Sequence, residues 1–138
     1  MATVNPYLTF NGKCEEAFNF YKAAFEKEFT NFTRFKDMPG GEYPGEEELI
    51  MHVAMPIGQG TILMGSDTPA SMGESVMGDS YSISVQTDSD EEALKLFNSL
   101  SAGGNVTMPL QKVPWNSYFG MFADKFGIKW MVSHDYNN

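Results

Sequence analysis

Cysteine, histidine and basic residues are all scarce in this sequence. Its 138 residues include one cysteine and two histidines, and nine lysines and arginines face 18 acids, for a formal net charge of −9. A lone cysteine cannot form an internal disulfide, which fits a reducing cytoplasm. The negative charge argues against nucleic acid and against an anionic membrane surface as partners, because both would repel the chain.

Long apolar runs are also missing. No run approaches the roughly 20 residues of a membrane-spanning helix. The opening residues, MATVNPYLTF, have neither a basic region nor a small-residue cleavage site, so we expect no signal peptide. We therefore expect a cytoplasmic protein.

The chain has enough apolar residues for a well-filled interior, since 42% of its residues are hydrophobic and 14% are aromatic. Alternating and helical periodicities predict a strand, a helix and three strands, and then the same order again. The first set is residues 4–10, 14–27, 29–36, 49–57 and 60–67, and the second is 81–87, 88–104, 106–111, 117–124 and 128–134. Residues 37–48, rich in glycine, proline and acids, predict a mobile loop, and residues 49–67 predict a hairpin around a turn at Gly58 and Gln59.

The two predicted helices resemble each other locally. CEEAFNFY, starting at Cys14, and DEEALKLF, starting at Asp90, lie 76 positions apart. Two amphipathic helices could share such common residue types without common origin, but the whole order of elements recurs, which favours a duplicated module. We predict a first module over residues 1–67, a linker over 68–80 and a second module over 81–138, together forming one structural domain.

Three stretches resemble a known family: YLTFNGKCEEAFNFYKAAF, MHVAMPIGQGTILMGSD and GGNVTMPLQKVPWNSYFGMFADKFGIKWMV. They are similar to the PhnB-like branch of the vicinal oxygen chelate superfamily, which includes glyoxalase I, extradiol dioxygenases and the fosfomycin and bleomycin resistance proteins. The resemblance implies an α+β fold. Two βαβββ modules would form an eight-stranded, incompletely closed barrel with a central cleft, and the chain would pair as a homodimer.

The resemblance also implies where metal ligands would lie. The superfamily positions correspond here to Pro6, to Leu63 or Met64, to Tyr81 or Ser82, and to Met131. None of these side chains is an ordinary ligand of a hard or borderline divalent ion. We therefore predict no metal and no cofactor.

The remaining candidates for a cleft are few. His52 fits a buried or half-buried histidine bonded to a carbonyl or hydroxyl group, or a pocket acid or base. Along the last strand we expect Trp130 in the core and Met131 facing the cleft, with Trp115 and Phe119 near its mouth. The predicted ligand-binding set is Pro6, His52, Met64, Ser82, Trp115, Phe119 and Met131.

Two other reactive side chains stand outside that set. His134 lies four residues from the end of the sequence, and we expect it to be solvated. Cys14 falls in the first turn of a predicted helix, where the helix dipole could lower its pKa, although a semi-buried, inert thiol is more common.

These patterns predict a metal-independent small-molecule-binding protein whose ligand is unidentified. A metal-dependent lyase or dioxygenase with a non-standard site is the alternative, and a dimeric domain with an incidental ligand is a third. No catalytic residue is identified. A methyltransferase is not supported, because the chain lacks the glycine-rich strand-to-helix turn that would hold a nucleotide-like cofactor.

Overall fold

A computed structural model describes residues 2–40, 43–58 and 60–136. The chain divides into two compact units, Met1–Val76 and Met77–Asn138. The division falls inside the stretch 68–80. In the described part of the chain, no helix is long and apolar enough to cross a membrane.

The first unit is a four-stranded sheet with one helix. Its elements are β1 (Tyr7–Phe10), α1 (Cys14–Phe25), β2 (Asn31–Arg34), β3 (Ile50–Gly58) and β4 (Thr61–Asp67). The strand order is β1-β4-β3-β2. Strand β1 runs parallel to β4, while β2, β3 and β4 are antiparallel neighbours.

The second unit repeats this plan. Its elements are β5 (Ile83–Gln86), α2 (Asp90–Ser101), β6 (Asn105–Val113), β7 (Ser117–Ala123) and β8 (Lys129–Asp135). The strand order is β5-β8-β7-β6, with β5 parallel to β8 and the other neighbours antiparallel. The predicted α+β class and the two βαβββ modules are therefore confirmed.

A glycine in each sheet lets the helix approach closely. A Cβ atom placed on Gly65 of β4 would lie 2.5 Å from the ring of Phe18, and one on Gly120 of β7 would lie 2.6 Å from the ring of Phe97. Since Phe18 and Phe97 belong to α1 and α2, each helix packs on the sheet face that carries the glycine. The other face of each sheet is not covered by its own helix.

The two helices begin in different ways. In α2, the Ser89 hydroxyl accepts the Glu92 N–H at 3.0 Å, and the Glu92 carboxylate accepts the Asp88 N–H at 2.8 Å. This is a local capping arrangement. In α1, the buried Asp67 carboxylate of β4 accepts the N–H groups of Gly12 and Cys14 at 2.9 and 3.0 Å.

Some predicted bounds were too long or too short. The first strand begins at Tyr7 instead of residue 4, and the second helix covers Asp90–Ser101 instead of 88–104. The helix starts later than predicted because Ser89 is its N-cap. Strand β6 extends to Val113 because it pairs with β7 up to that residue. Gln59 of the predicted turn lies outside the described residues, but the hairpin of β3 and β4 is confirmed.

Arg34, at the end of β2, ties the segment between β2 and β3 to α1 and to Glu48. Arg34 makes a two-point ion pair with Glu15 of α1, at 2.8 and 3.0 Å, and donates to the Glu48 carbonyl at 2.7 Å. Residues 35–37 form a 3-10 turn, and Phe35 packs against the ring of Tyr43 at a centroid distance of 4.5 Å. Gly41 and Glu42 lie outside the described residues.

Candidate functional site

Strand register determines which residues lie on the face of the first sheet that its own helix does not cover. Tyr7 is paired with Met64, Met64 with Ala54, and His52 with Thr33. Since residues alternate between faces, this side is opposite Gly65 and α1. We call it the first open face. It consists of Tyr7, Thr9, Asn31, Thr33, His52, Ala54, Pro56, Ile62, Met64 and Ser66.

A tyrosine and a histidine meet on the first open face. The Tyr7 hydroxyl lies 3.4 Å from Nδ1 of His52, and the two rings stack at a centroid distance of 5.8 Å and an angle of 28°. Strand β4 separates β1 from β3, so the two side chains meet above β4. His52 is half-buried and Tyr7 is 47% exposed. The prediction of a half-buried His52 bonded to a hydroxyl group is therefore confirmed.

Hydroxyl groups surround this pair. Thr9 is the register partner of Ser66, and Thr33 is that of His52. The hydroxyl of Ser75, from the segment after β4, donates to Thr9 at 3.0 Å. The first open face therefore joins one imidazole and one phenol with several alcohols.

The uncovered face of the second sheet has a different chemistry. We call it the second open face, and define it by register as the side opposite Gly120. It consists of Ser84, Gln86, Asn105, Met108, Gln111, Val113, Ser117, Phe119, Met121, Ala123, Lys129, Met131, Ser133 and Asp135. Phe119, Met121 and Met131 are half-buried, and Met121 and Met131 are register partners.

Polar groups form one end of the second open face. The Ser133 hydroxyl donates to the Gln86 amide oxygen at 3.1 Å, and the Gln86 amide nitrogen donates to Asp135 at 2.9 Å. Nearby, Trp115 lies in the turn before β7, is 61% exposed, and meets Phe119 edge to face at 5.6 Å. An apolar floor with a fixed polar end can hold a partly apolar molecule in one orientation.

The structure separates the predicted candidates into two groups. His52 and Met64 lie on the first open face, while Phe119 and Met131 lie on the second. Of the paired alternatives, Leu63 is fully buried and Met64 half-buried. Trp130 is fully buried, which confirms it as core.

Two candidates lie just before strands. Pro6 is half-buried, and its carbonyl accepts the Met64 N–H at 3.1 Å. By alternation it has the parity of Leu8 on the helix side, so the adjacent Tyr7 occupies the open face. Ser82 is exposed before β5, as is its alternative Tyr81.

Of the two reactive side chains outside the set, His134 was predicted wrongly, while the favoured inert thiol at Cys14 is confirmed and is more deeply buried than expected. His134 is not free in solvent, because its Nδ1 lies 2.9 Å from Asp90 and its side chain is only 20% exposed. Hydrogen bonds from His134 and Tyr136 lower the pKa of Asp90. Cys14 is fully buried, and burial raises the pKa of its thiol, with Asp67 and Glu15 adding to the effect. The helix dipole therefore does not activate this thiol.

The residues at the family's ligand positions do not fit a divalent metal. Proline offers no side-chain donor, and the thioethers of Met64 and Met131 are poor ligands for a hard or borderline ion. Across residues 2–40, 43–58 and 60–136, no three His, Cys, Asp or Glu side chains come together as a metal-binding group.

Several residues of the open faces escaped prediction. Tyr7 and Thr9 alternate with the buried Leu8 and Phe10, so the period of two in YLTF was a usable signal for them. Ser133 shares the parity of Met131, so the same period was a usable signal for its face, but its hydrogen bond to Gln86 spans 47 positions and no local pattern indicates it.

A shallow groove of about 400 Å³ lies beside the C-terminal half of α1 and contains none of the predicted residues. It is lined by Asn19, Lys22, Ala23, Glu26, Lys27 and Glu28. Lys22 and Glu28 form an ion pair at 3.2 Å. Its opposite charges thus partly neutralise each other.

Comparison with known proteins agrees with the fold. Residues 2–133 match the family model described as 3-demethylubiquinone-9 3-methyltransferase. The crystal structure of protein PA1353 from Pseudomonas aeruginosa is 40% identical, with a TM-score of 0.84 over 98% of both chains.

Two further relatives span nearly the full length. A putative 3-demethylubiquinone-9 3-methyltransferase, the PhnB protein from Bacillus cereus, is 28% identical, with a TM-score of 0.77 over 96% of this chain and 99% of that one. Protein YjdN of Escherichia coli K12 is 29% identical over 94% of this chain and 93% of its own. The fold is also that of a glyoxylase/bleomycin resistance protein/dioxygenase domain from Frankia sp. EAN1pec, which is 15% identical with a TM-score of 0.69. The chain therefore belongs to the PhnB-like family that the family model describes.

Proposed function

We propose that the protein binds a small, partly apolar molecule without a metal ion, and that the second open face is the binding surface. The observation that carries the proposal is the group of half-buried Phe119, Met121 and Met131 beside a hydrogen-bonded polar end. Apolar side chains on a face that the module's own helix leaves uncovered offer area that a ligand can remove from water.

The types of side chain indicate the kind of ligand. Methionine is flexible and polarizable, so Met121 and Met131 can adapt to a flat ring. Trp115 and Phe119 offer aromatic surface for edge or face contacts. The amide of Gln86 and the carboxylate of Asp135 accept hydrogen bonds, which favours a ligand that carries donors at one end.

Metal independence is part of the proposal. Its support is the identity of the residues at the ligand positions, where thioethers and proline replace the imidazole and carboxylate groups that a catalytic divalent site needs. The proposal includes no chemical step. A relative's description as a methyltransferase carries no reaction to this chain, because neither strand-to-helix turn, NGK at residues 11–13 or TDS at residues 87–89, is glycine-rich.

The test uses 2-naphthol, a flat neutral molecule, with the indole N–H resonance of Trp115 in the NMR spectrum, assigned with a Trp115→Phe variant, as the signal. Met131→Lys places a charge in the apolar floor, and we expect it to weaken binding at least about tenfold, or about 1.4 kcal/mol. Met72→Lys is the matched control, since Met72 is 76% exposed and lies in the other compact unit. Equal affinity in both variants would contradict the proposed surface.

Metal content is measured on the same preparation. We expect no stoichiometric zinc, nickel, manganese or iron, and 2-naphthol binding that survives treatment with EDTA. About one tightly held metal per chain, lost together with binding when His52 is changed to Ala, would instead support the metal-dependent enzyme.

We also propose a homodimer. Strand β6 is an edge strand of its sheet, and Val106 on it is 44% exposed. Uncovered strand edges favour association with another chain. Light scattering at micromolar concentration should give twice the 15.4 kDa chain mass, and a mass of one chain would contradict the dimer.

A further inference from the structure

The first open face carries no carboxylate. The chain has 18 acidic residues against nine basic ones, yet the strand residues that form this face carry only aromatic, aliphatic, thioether, hydroxyl, amide or imidazole groups. An anion approaching these residues meets no negative side chain of the face itself. The face is therefore a local exception to the charge of the chain.

The Tyr7–His52 pair always has a proton to donate. In its neutral form the pair holds two polar hydrogens, one on the phenol and one on the imidazole. The 3.4 Å contact between the Tyr7 hydroxyl and Nδ1 of His52 uses one of them. If the phenol donates to Nδ1, the imidazole keeps an N–H at Nε2. If Nδ1 donates, the phenol keeps its O–H. Either tautomer leaves one donor for a further acceptor.

Thr9 adds a second donor on the same side of the sheet. Its Oγ1 accepts the hydroxyl of Ser75 at 3.0 Å, so its own proton remains for another acceptor. Ser66 is the register partner of Thr9 and lies between Thr9 and β3. Tyr7, His52, Thr9 and Ser66 thus set hydroxyl and imidazole groups around one small area above β4.

We propose that this area binds a small oxyanion, a carboxylate or a phosphate group, through Tyr7, His52, Thr9 and Ser66. Oxyanions accept several hydrogen bonds at once, and a bond to a charged acceptor is stronger than one between neutral groups. The site goes beyond the proposed function: it lies on the other module and takes a polar group where the second open face takes an apolar one.

The two histidines of the chain provide the probe and its control. His52 belongs to the site, while His134 pairs with Asp90 in the other module. Ring resonances are followed by NMR at constant pH and ionic strength, and assigned with a His134→Gln variant. Sodium acetate and inorganic phosphate are titrated separately, with sodium chloride as the reference salt.

The expected result is a saturable shift of the His52 ring with one or both oxyanions, and little or no shift of the His134 ring. The acetate and phosphate arms decide which oxyanion is preferred. Tyr7→Phe removes the hydroxyl from a half-exposed ring and should weaken the affinity about fivefold, or roughly 1 kcal/mol. Tyr118→Phe, in the other module, should leave it unchanged.

Three outcomes would overturn the proposal. They are the absence of a saturable shift with either anion, equal shifts at both histidines, and unchanged affinity in Tyr7→Phe. The 2-naphthol titration reports on Trp115 in the other module, so it separates a failure of this site from a failure of the proposed function. A folded spectrum of Tyr7→Phe shows that the change is local.

Discussion

Asp124 is the buried carboxylate that organises the turn between β7 and β8, and replacing it should be costly. Its side chain is 3% exposed. One oxygen accepts the N–H groups of Phe126 and Ile128 at 2.8 and 3.1 Å, and the other accepts the indole N–H of Trp130 at 2.8 Å. Asp124 thereby fixes both the turn and the largest core side chain.

The substitution Asp124→Asn keeps the volume but replaces one oxygen with a donor. That amide nitrogen must then face an N–H group that had an acceptor. A hydrogen bond to a charged group contributes about 1.5–3 kcal/mol, and a buried donor without a partner costs about 1–3 kcal/mol. We expect a loss of about 3 kcal/mol in the free energy of unfolding. Asp124→Ala, which removes both acceptors, should lose roughly 4–5 kcal/mol.

The assay is urea unfolding followed by circular dichroism and tryptophan fluorescence. An unchanged dependence of the unfolding free energy on urea concentration shows that only stability has changed. In a Trp130→Phe background the indole N–H is absent, so the loss from Asp124→Asn should shrink by about 1 kcal/mol. Asp79→Asn, at an exposed position, is the control. A loss for Asp124→Asn below about 1 kcal/mol, or equal to the control, would refute this reasoning.

Three further predictions concern the first module. Gly65→Ala should lose about 1–3 kcal/mol of unfolding free energy by urea titration, because the new Cβ would lie 2.5 Å from the Phe18 ring; a neutral effect would contradict the close packing. The hydrogen bond from Arg34 lowers the pKa of Glu15 below its usual range in the folded state, so its contribution is present above the ordinary pKa of a glutamate and is lost as the pH falls through the lowered pKa. Glu15→Gln should therefore reduce stability by less than about 1 kcal/mol at pH 7 and flatten the acid dependence, and an unchanged pH profile would count against the pair. Cys14 should react with a disulfide reagent at least about a hundredfold more slowly in the native protein than in urea, and comparable rates would show that its burial is incomplete.

Elements with a strong local signal were predicted well. The alternation of Leu8 and Phe10 with Tyr7 and Thr9 belongs to one strand, and DEEALKLF places acids and apolar residues at helical spacing. Such patterns depend only on neighbours along the chain. They identified the strands, the helices and their repetition, although the ends shifted where capping or pairing decided them.

The two candidate surfaces depend on contacts between distant residues. Tyr7 and His52 lie 45 positions apart, and Gln86 and Asp135 lie 49 apart. Neither local sequence indicates which distant residue is the partner. Only sheet register determines which side chains share a face, and a slip of one residue would move each to the other side.

The sequence by itself determined the α+β class, the duplicated βαβββ order, the family resemblance and the shortage of metal-binding side chains. The order of elements and the shortage follow from composition and from periods of two and 3.6 residues, whereas the α+β class and the family were implied by the three stretches that resemble the family. The tertiary structure decided that Tyr7 instead of Pro6 occupies the open face, that His134 binds Asp90, and that Cys14 is buried. The physical reason is that burial and hydrogen-bond partners are set when β1 pairs with β4 and each helix packs on its sheet, and those contacts join residues far apart in the chain.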